Sequence, residues 1–281
     1  MKIDGKTKIT GIFGYPIEHT LSPFIHNAGY EYLGLNYIYI PFSVHPEDLG
    51  KATDSLKALN ISGINVTVPH KEKILRYLDD IDSYAEKIGA VNTVINKNGK
   101  LVGYNTDAIG FLKSLKENIN PHGKKVVLLG CGGAGKAIAV SLVLNGIEEL
   151  FIYDVDFGKA EKFSKKLMPF TKKISVIKSD NSLKNAVWSA DILINATTVG
   201  MKPLDKTPVP ANWLNKRTFV YDIIYNRKTE LIKIAEKIGC KYIDGLDMLL
   251  YQAAKSFELW TNRKAPIEIM RKALKRALKY K

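Results

Sequence analysis

Lys71 and Asp107 stand out for chemistry. Each closes a run of branched and small residues, G-I-N-V-T-V-P-H-K and L-V-G-Y-N-T-D. A lysine ammonium can pass a proton to a ketone oxygen and take it back from a hydroxyl, and a carboxylate beside it can share that work. Hydroxyls and amides gather at the ends of the same apolar runs: Thr20 and Ser22, Asn65 and Thr67 beside His70, Asn92, and Asn105 with Thr106. Later runs end in Asn195, Thr197 and Thr198, then Asp222, Tyr225 and Asn226. In open α/β sheets ligands meet the carboxyl ends of strands, and this set suits a polyhydroxylated acid beside a redox cofactor. The five histidines show no H-x-x-x-H or H-E-x-x-H spacing, and no G-x-S-x-G occurs, so neither a zinc hydrolase nor a serine hydrolase is indicated. Lys71 falls in the first turn of an expected helix, where the helix dipole disfavours a cation. That gives it a mild distinction from the many surface lysines. Asp107 has a plainer reading as a helix cap, and one carboxylate can do both jobs.

The rest is organised around residues 124–154. Apolar residues 126–129 end at Gly130; Gly132, Gly133 and Gly135 follow, then a run of helical length stopping at Asn145-Gly146. A second apolar run, 150–153, ends in Asp154. Gly130, Gly132 and Gly135 fit G-x-G-x-x-G in a strand–turn–helix–strand setting, with Asp154 as the acid expected on a ribose hydroxyl. The first glycine permits the sharp turn, the second lets backbone approach a pyrophosphate, and the third lets the helix pack on the strand with its N–H groups toward phosphate. A dinucleotide cofactor is expected.

Composition is that of a globular protein, 46% hydrophobic and 25% charged over 281 residues, long enough for two domains. No segment has the length of a membrane span, and the start, M-K-I-D-G-K-T-K, lacks the apolar core of a signal peptide. Cys131 and Cys240 make no disulfide framework and read as reduced thiols, so a cytoplasmic location is expected. The net charge of +14 is carried mostly by dispersed lysines. The densest basic stretch, Arg263 to Lys281, has helical spacing opposite Ile267, Met270, Leu274 and Leu278, a solvated helix face. Neither nucleic acid nor membrane is expected as a partner.

Strand and helix signals alternate. Strands are expected over 9–13, 37–42 and 63–68, helices over 23–33 and 46–59, and one or two short helices over 71–88. Asn98-Gly99 joins the branched runs 91–95 and 101–104 as a hairpin. A helix is expected over 108–116. Beyond the glycine loop come helix 157–167, strand 174–177, helix 183–188, strand 191–196, strand 219–224, helix 230–237, strand 241–243, and helices 248–260 and 266–279. This predicts an α/β protein of two domains, an N-terminal domain with a mostly parallel sheet followed by a Rossmann-type doubly wound domain.

Together these segments resemble the shikimate dehydrogenase family. The matching motifs are G-Y-P-I-E-H-T-L-S-P (14–23), G-I-N-V-T-V-P-H-K (63–71), G-A-V-N-T (89–93), G-Y-N-T-D (103–107), L-G-C-G-G-A-G (129–135), I-N-A-T-T-V-G-M (194–201), D-I-I-Y-N (222–226) and G-L-D-M-L-L-Y-Q-A (245–253). They span nearly the whole chain, in order. The resemblance implies reversible reduction of 3-dehydroshikimate to shikimate by a nicotinamide dinucleotide, in aromatic amino-acid biosynthesis. It implies Lys71 as general acid/base with Asp107 as its partner, and Thr20, Ser22, Thr67, Asn92, Tyr225 and Gln252 as substrate contacts. Cofactor contacts are expected at Gly130, Gly132, Gly133, Ala134, Gly135, Asp154, Lys159, Thr197, Ile223 and Gly245. The last helices are expected to return to the first domain, giving a substrate domain of 1–108 with 246–281 and a cofactor domain of 109–245, with a cleft that closes over the ligands.

Some positions depart from the family pattern. Thr20 replaces the usual Ser, Arg227 a usual Pro and Asp247 a usual Gly. Asp154-Val155-Asp156 stands where NADP-using members typically carry Asn-Arg-Thr. NADP is the family expectation. Asp154 and Val155 favour NAD or dual use, with Lys159 a possible partial compensation, and a quinate/shikimate dehydrogenase of relaxed substrate range is the alternative. A small-molecule substrate and a monomeric or homodimeric state complete the expectation.

Overall fold

The computed structural model describes residues 3–171 and 173–279. The chain forms two compact units, one of Met1–Gly110 with Leu249–Lys281 and one of Phe111–Met248.

The first unit holds β1 (Lys8–Gly14), α1 (Ser22–Tyr32), β2 (Tyr37–Ser43), α2 (Leu49–Ala58), β3 (Gly63–Val66), a 3-10 turn (Ile74–Tyr77), β4 (Asp80–Ile81), α3 (Ser83–Ile88), β5 (Thr93–Lys97) and β6 (Lys100–Tyr104). Its sheet runs β2-β1-β3-β5-β6-β4. β1 pairs in parallel with β2 and β3, and β4 with β6, whereas β5 lies antiparallel to both β3 and β6. The hairpin turns at Asn98 and Gly99, with φ of 53° and 88°. Both are left-handed, as a two-residue type I′ turn requires. The expected helices over 71–88 resolve into the 3-10 turn, β4 and α3. β4 has two residues, too few to carry a periodic signal.

The faces of this sheet alternate with the pleat. Ile64 and Val66 of β3 pack with Leu49 and Leu56 of α2, Ile74, Ala85 of α3, and Val94 and Leu101. Asn65 between them points to the opposite face, where it meets Ser256 of α9 (Leu246–Thr261). There α1 packs against α10 (Ile267–Lys279), with Gly29 of α1 close to Phe257 and Met270.

His26 sits in that layer with no exposure, its ring stacked on Tyr39 at 4.3 Å and 3°. Neither ring nitrogen has a hydrogen-bond partner. Burial alone lowers its pKa from 6.5 to about 3. The folded state therefore holds a neutral imidazole while the unfolded chain takes up a proton below pH 6.5. Stability is lost as pH falls through that range and continues to fall toward about pH 3. His26→Phe is expected to keep about 2 kcal/mol more stability than the wild type on going from pH 7 to pH 5, one and a half pKa units at about 1.4 kcal/mol each. Urea unfolding at the two pH values measures it; equal losses in both proteins would mean that His26 is protonated in the folded state.

The second unit holds most of α4 (Asp107–Lys116), then β7 (Lys125–Leu129), α5 (Gly133–Leu144), β8 (Glu149–Tyr153), α6 (Phe157–Leu167), β9 (Ile174–Val176), α7 (Asp180–Ser189), β10 (Ile192–Asn195), β11 (Phe219–Asp222), α8 (Glu230–Ile238) and β12 (Tyr242–Ile243). Its sheet is parallel throughout, in the order β12-β11-β10-β7-β8-β9. This is the doubly wound order, with the reversal between β7 and β10. Val127, Leu129, Leu193 and Val220 pack with Leu183 and Val187 of α7 and Leu231 and Ala235 of α8. No helix among the described residues is long and apolar enough to cross a membrane.

Candidate functional site

In the first unit Lys71 lies in the turn that follows β3, not in a helix. The expected helix start at Pro69 is absent; the chain makes a series of turns before the 3-10 segment, so a helix dipole has no part in placing this cation. Backbone bonds set the turn instead. Thr67 N–H donates to Phe13 O at 2.9 Å, His70 N–H to Thr67 O at 2.9 Å, and Val91 N–H to Lys71 O at 2.9 Å. His70 is fully buried and its Nε2–H donates to Val44 O at 2.8 Å, which makes it an anchor for the turn. The Tyr15–Pro16 and Val68–Pro69 peptide bonds are cis.

Lys71 Nζ donates to Asp107 Oδ2 at 2.6 Å, with side-chain exposures of 17% and 9%. Asp107 Oδ1 accepts from Asn92 Nδ2 at 2.8 Å. Asp107 opens α4, yet Asn105 does the capping: its Oδ1 accepts the Ala108 N–H at 3.3 Å. Capping therefore leaves Asp107 available to Lys71 and Asn92. Thr20 is half-buried and its Oγ1 accepts the Ser22 N–H at 3.3 Å. Ser22 is buried. Thr67 is half-buried beyond β3. Gln252, on α9, is buried and its Nε2 donates to Leu249 O at 3.0 Å. The first unit thus carries Lys71, Asp107, Thr20, Ser22, Thr67, Asn92 and Gln252, and joins Lys71, Asp107 and Asn92 by direct bonds.

Tyr225 belongs to the second unit, where burial raises its phenol pKa. That unit also carries the glycine turn. Gly130 has a φ of 95°, and a Cβ there would lie 2.9 Å from the Ala196 backbone after β10. A Cβ on Gly135 would lie 2.1 Å from Gly130 O. A Cβ on Gly132 would meet nothing within 4 Å, and no side chain caps α5 there. Helix N-termini carry N–H groups without intrahelical partners, and this uncapped one, at the switch point of a doubly wound sheet, fits a pyrophosphate. Gly133 and Ala134 form its first turn.

Asp154, just past β8, accepts the Cys131 N–H on Oδ2 at 2.6 Å and the Asp156 N–H on Oδ1 at 2.9 Å. It ties the glycine turn to the β8 end. Val155 beside it is 86% exposed. Lys159 lies in the first turn of α6, which Asp156 caps through the Lys159 N–H at 3.0 Å.

The other expected cofactor contacts share one network. Thr197 Oγ1 donates to Asn195 Oδ1 at 2.7 Å, and Asn195 Nδ2 donates to Asp222 Oδ1 at 3.0 Å. Ile223 N–H donates to Asn195 O at 3.0 Å, and a Cβ on Gly245 would come within 1.9 Å of Ile223 O. Thr229 Oγ1 donates to Asp222 Oδ2 at 2.6 Å. Burial pushes the Asp222 pKa up to about 6, against the pull of these donors. Asn195 and Asp222 were visible as polar strand ends; their service as braces for Thr197 and Ile223 was not. Thr93 and Ser256, buried beside Asn92, gave no signal beyond a hydroxyl next to Asn92 and one a helical turn past Gln252.

A doubly wound sheet with an open glycine turn, and a separate α/β unit presenting a partly buried lysine–carboxylate pair, define the class of dinucleotide-dependent α/β oxidoreductases. Family models match in chain order: the shikimate dehydrogenase substrate binding domain over residues 12–94, shikimate / quinate 5-dehydrogenase over 113–247, and the shikimate 5'-dehydrogenase C-terminal domain over 245–275. The chain belongs to the shikimate dehydrogenase family, being 43% identical over 280 residues to the shikimate dehydrogenase (NADP(+)) of Desulforamulus reducens, with 97% of this chain and 96% of that protein covered. Shikimate dehydrogenase from Aquifex aeolicus has a similar structure, with TM-score 0.91 and 39% identity over 97% of this chain and 99% of that one. So does shikimate 5-dehydrogenase from Listeria monocytogenes in complex with shikimate and NAD, with TM-score 0.90 and 37% identity over 98% of each chain.

Proposed function

We propose that this chain is a shikimate dehydrogenase, reducing 3-dehydroshikimate to shikimate reversibly in aromatic amino-acid biosynthesis, with NADP as its cofactor. The observation that carries the reading is the 2.6 Å contact between Lys71 Nζ and Asp107 Oδ2 among buried amides and hydroxyls, in a chain of this family. The nicotinamide dinucleotide supplies or accepts the hydride when bound. Lys71 gives a proton to the ketone oxygen in reduction and takes it from the hydroxyl in oxidation. Asp107 holds the Lys71 ammonium and hydrogen-bonds the reacting hydroxyl; Asn92 holds Asp107. Thr20, Ser22, Thr67, Tyr225 and Gln252 supply donors for the substrate carboxylate and hydroxyls, as charge-assisted hydrogen bonds. Gly130, Gly132, Gly133, Ala134 and Gly135 would cradle the pyrophosphate. Asp154 and Lys159 would hold the adenine ribose, and Thr197, Ile223 and Gly245 would complete the residues that hold the cofactor.

Asp154 favours a second reading, a quinate/shikimate dehydrogenase that also uses NAD, because a carboxylate accepts from a ribose 2′-hydroxyl and repels a 2′-phosphate. The buried cysteines Cys131 and Cys240 suit a reducing cytoplasm, where the chain acts as a monomer or homodimer. The purified protein is expected to reduce NADP+ in the presence of shikimate, followed at the reduced-nicotinamide absorbance. Shikimate and quinate assayed with each cofactor separate the two readings. No turnover of either by folded protein, with either cofactor, would sink both.

A further inference from the structure

The Lys71–Asp107 pair is the end of a longer buried chain of hydrogen bonds. Asn92 Nδ2 spends its protons on Asp107 Oδ1 at 2.8 Å and Thr106 Oγ1 at 3.0 Å. Its amide has one orientation, because the Thr106 N–H, which can only donate, lies 2.7 Å from Asn92 Oδ1. Behind Asn92 stands Thr93. Its Oγ1 lies 2.8 Å from Ser256 Oγ, 3.0 Å from Asn65 Nδ2, 3.1 Å from Asn92 Oδ1 and 3.2 Å from Thr106 Oγ1. Thr93, Thr106 and Ser256 have no exposure, so no water stands in for a lost partner.

The proton directions are constrained. The Ser256 hydroxyl donates to Gln252 O at 3.0 Å, which leaves its oxygen to accept. Tyr39 OH donates to Asn65 Oδ1 at 2.8 Å, which fixes the Asn65 amide with Nδ2 toward Thr93. Thr93 therefore accepts from Asn65, and its one proton is divided between Ser256 Oγ at 2.8 Å, whose own proton goes to Gln252 O, and Asn92 Oδ1 at 3.1 Å. A continuous path runs Tyr39, Asn65, Thr93, Asn92, Asp107, Lys71, ending at the acid/base pair.

We propose that Thr93 is a positioning residue for the Lys71–Asp107 pair: its hydroxyl, at the crossing of the buried network, holds Asn92 so that Asn92 Nδ2 keeps Asp107 turned toward Lys71. This rests on the acid/base reading of that pair. The Thr93 hydroxyl bonds to Asn65, Asn92, Thr106 and Ser256 and not to Lys71 or Asp107, and acts through Asn92.

The test compares Thr93→Val, which keeps the shape and loses the hydroxyl, with Thr93→Ser, which keeps the hydroxyl and loses a methyl. The Val variant is expected to lose more than about tenfold in kcat/KM for shikimate, and the Ser variant to stay within about threefold of wild type. Packing alone predicts the reverse order. Ser256→Ala, removing the partner at 2.8 Å, is expected to fall in the same direction and serves if the Val variant does not fold. A crystal structure of the hydroxyl-lacking variant gives a readout independent of turnover: Asn92 Nδ2 is expected beyond about 3.5 Å from Asp107 Oδ1. Retention of that contact, or a Val variant as active as the Ser variant, overturns the proposal. If the wild type leaves shikimate untouched, the functional reading fails, while the structural comparison still decides the role of Thr93.

Discussion

Lys71→Ala is expected to lower kcat for shikimate oxidation by about 10³-fold, within the range typical of a lost general acid/base, while the dissociation constant for shikimate rises by less than about tenfold. Turnover and equilibrium binding on the same preparation separate the two effects. The substitution leaves Asp107 buried with Asn92 still donating to it, so the circular dichroism spectrum should remain that of a folded protein. Lys71→Arg sharpens the result. A guanidinium can keep the ion pair with Asp107 but does not give up a proton near neutral pH, so its kcat is expected near that of the Ala variant. If Arg restores turnover, the positive charge and not the proton matters. If Ala weakens binding and leaves kcat intact, Lys71 only holds the substrate.

Asp154→Asn combined with Val155→Arg is expected to raise the ratio of kcat/KM for NADP over NAD by about 10- to 100-fold. A hydrogen bond to a charged group contributes roughly 1.5–3 kcal/mol, and about 1.4 kcal/mol is tenfold. Val155 is 86% exposed, so an arginine there displaces no packing. Asp154 is the more delicate half. It accepts two backbone N–H groups, from Cys131 and Asp156, and an asparagine can keep only one on its single side-chain oxygen. Some loss of affinity for both cofactors is therefore expected alongside the change in ratio. An unchanged ratio would place recognition of the ribose elsewhere, with Lys159 the first residue to substitute.

The parts of this protein that were legible in its sequence have short-range causes. The glycine turn is one, since G-x-G-x-x-G between two apolar runs answers to local sterics, and Gly130 and Gly135 prove to be places where a Cβ meets backbone. The Asn98-Gly99 hairpin is another. What stayed hidden depends on distant partners or very short elements. β4 pairs through two residues with β6. Lys71 looked like a first-turn residue, but the turn is held by Val44, Phe13 and Val91, which come from separate parts of the chain. Asp107 looked like a cap, but Asn105 performs that task. Thr93 and Ser256 are far apart in sequence, and only folding brings their hydroxyls to 2.8 Å. Local pattern singles out the residues expected to carry the chemistry; the buried polar groups bonded around them are tertiary facts.

The division of the first unit into Met1–Gly110 and Leu249–Lys281 bears on how the protein is made. The ribosome completes β1 through β6 early, but α10 and all but the first turn of α9 emerge only after the second unit. Until then the nascent chain lacks Phe257, which stacks on Tyr30 at 5.0 Å, Trp260, whose Nε1 donates to Val94 O at 3.0 Å, and Ser256 beneath Asn65. One face of the N-terminal sheet therefore waits, uncovered, while the whole Rossmann unit is synthesised. That unit has its α/β core in a single stretch and can fold first, since domains generally fold as units during synthesis. The layer behind the acid/base pair is therefore completed only after the second unit has been made, once α9 brings Ser256 to Asn65.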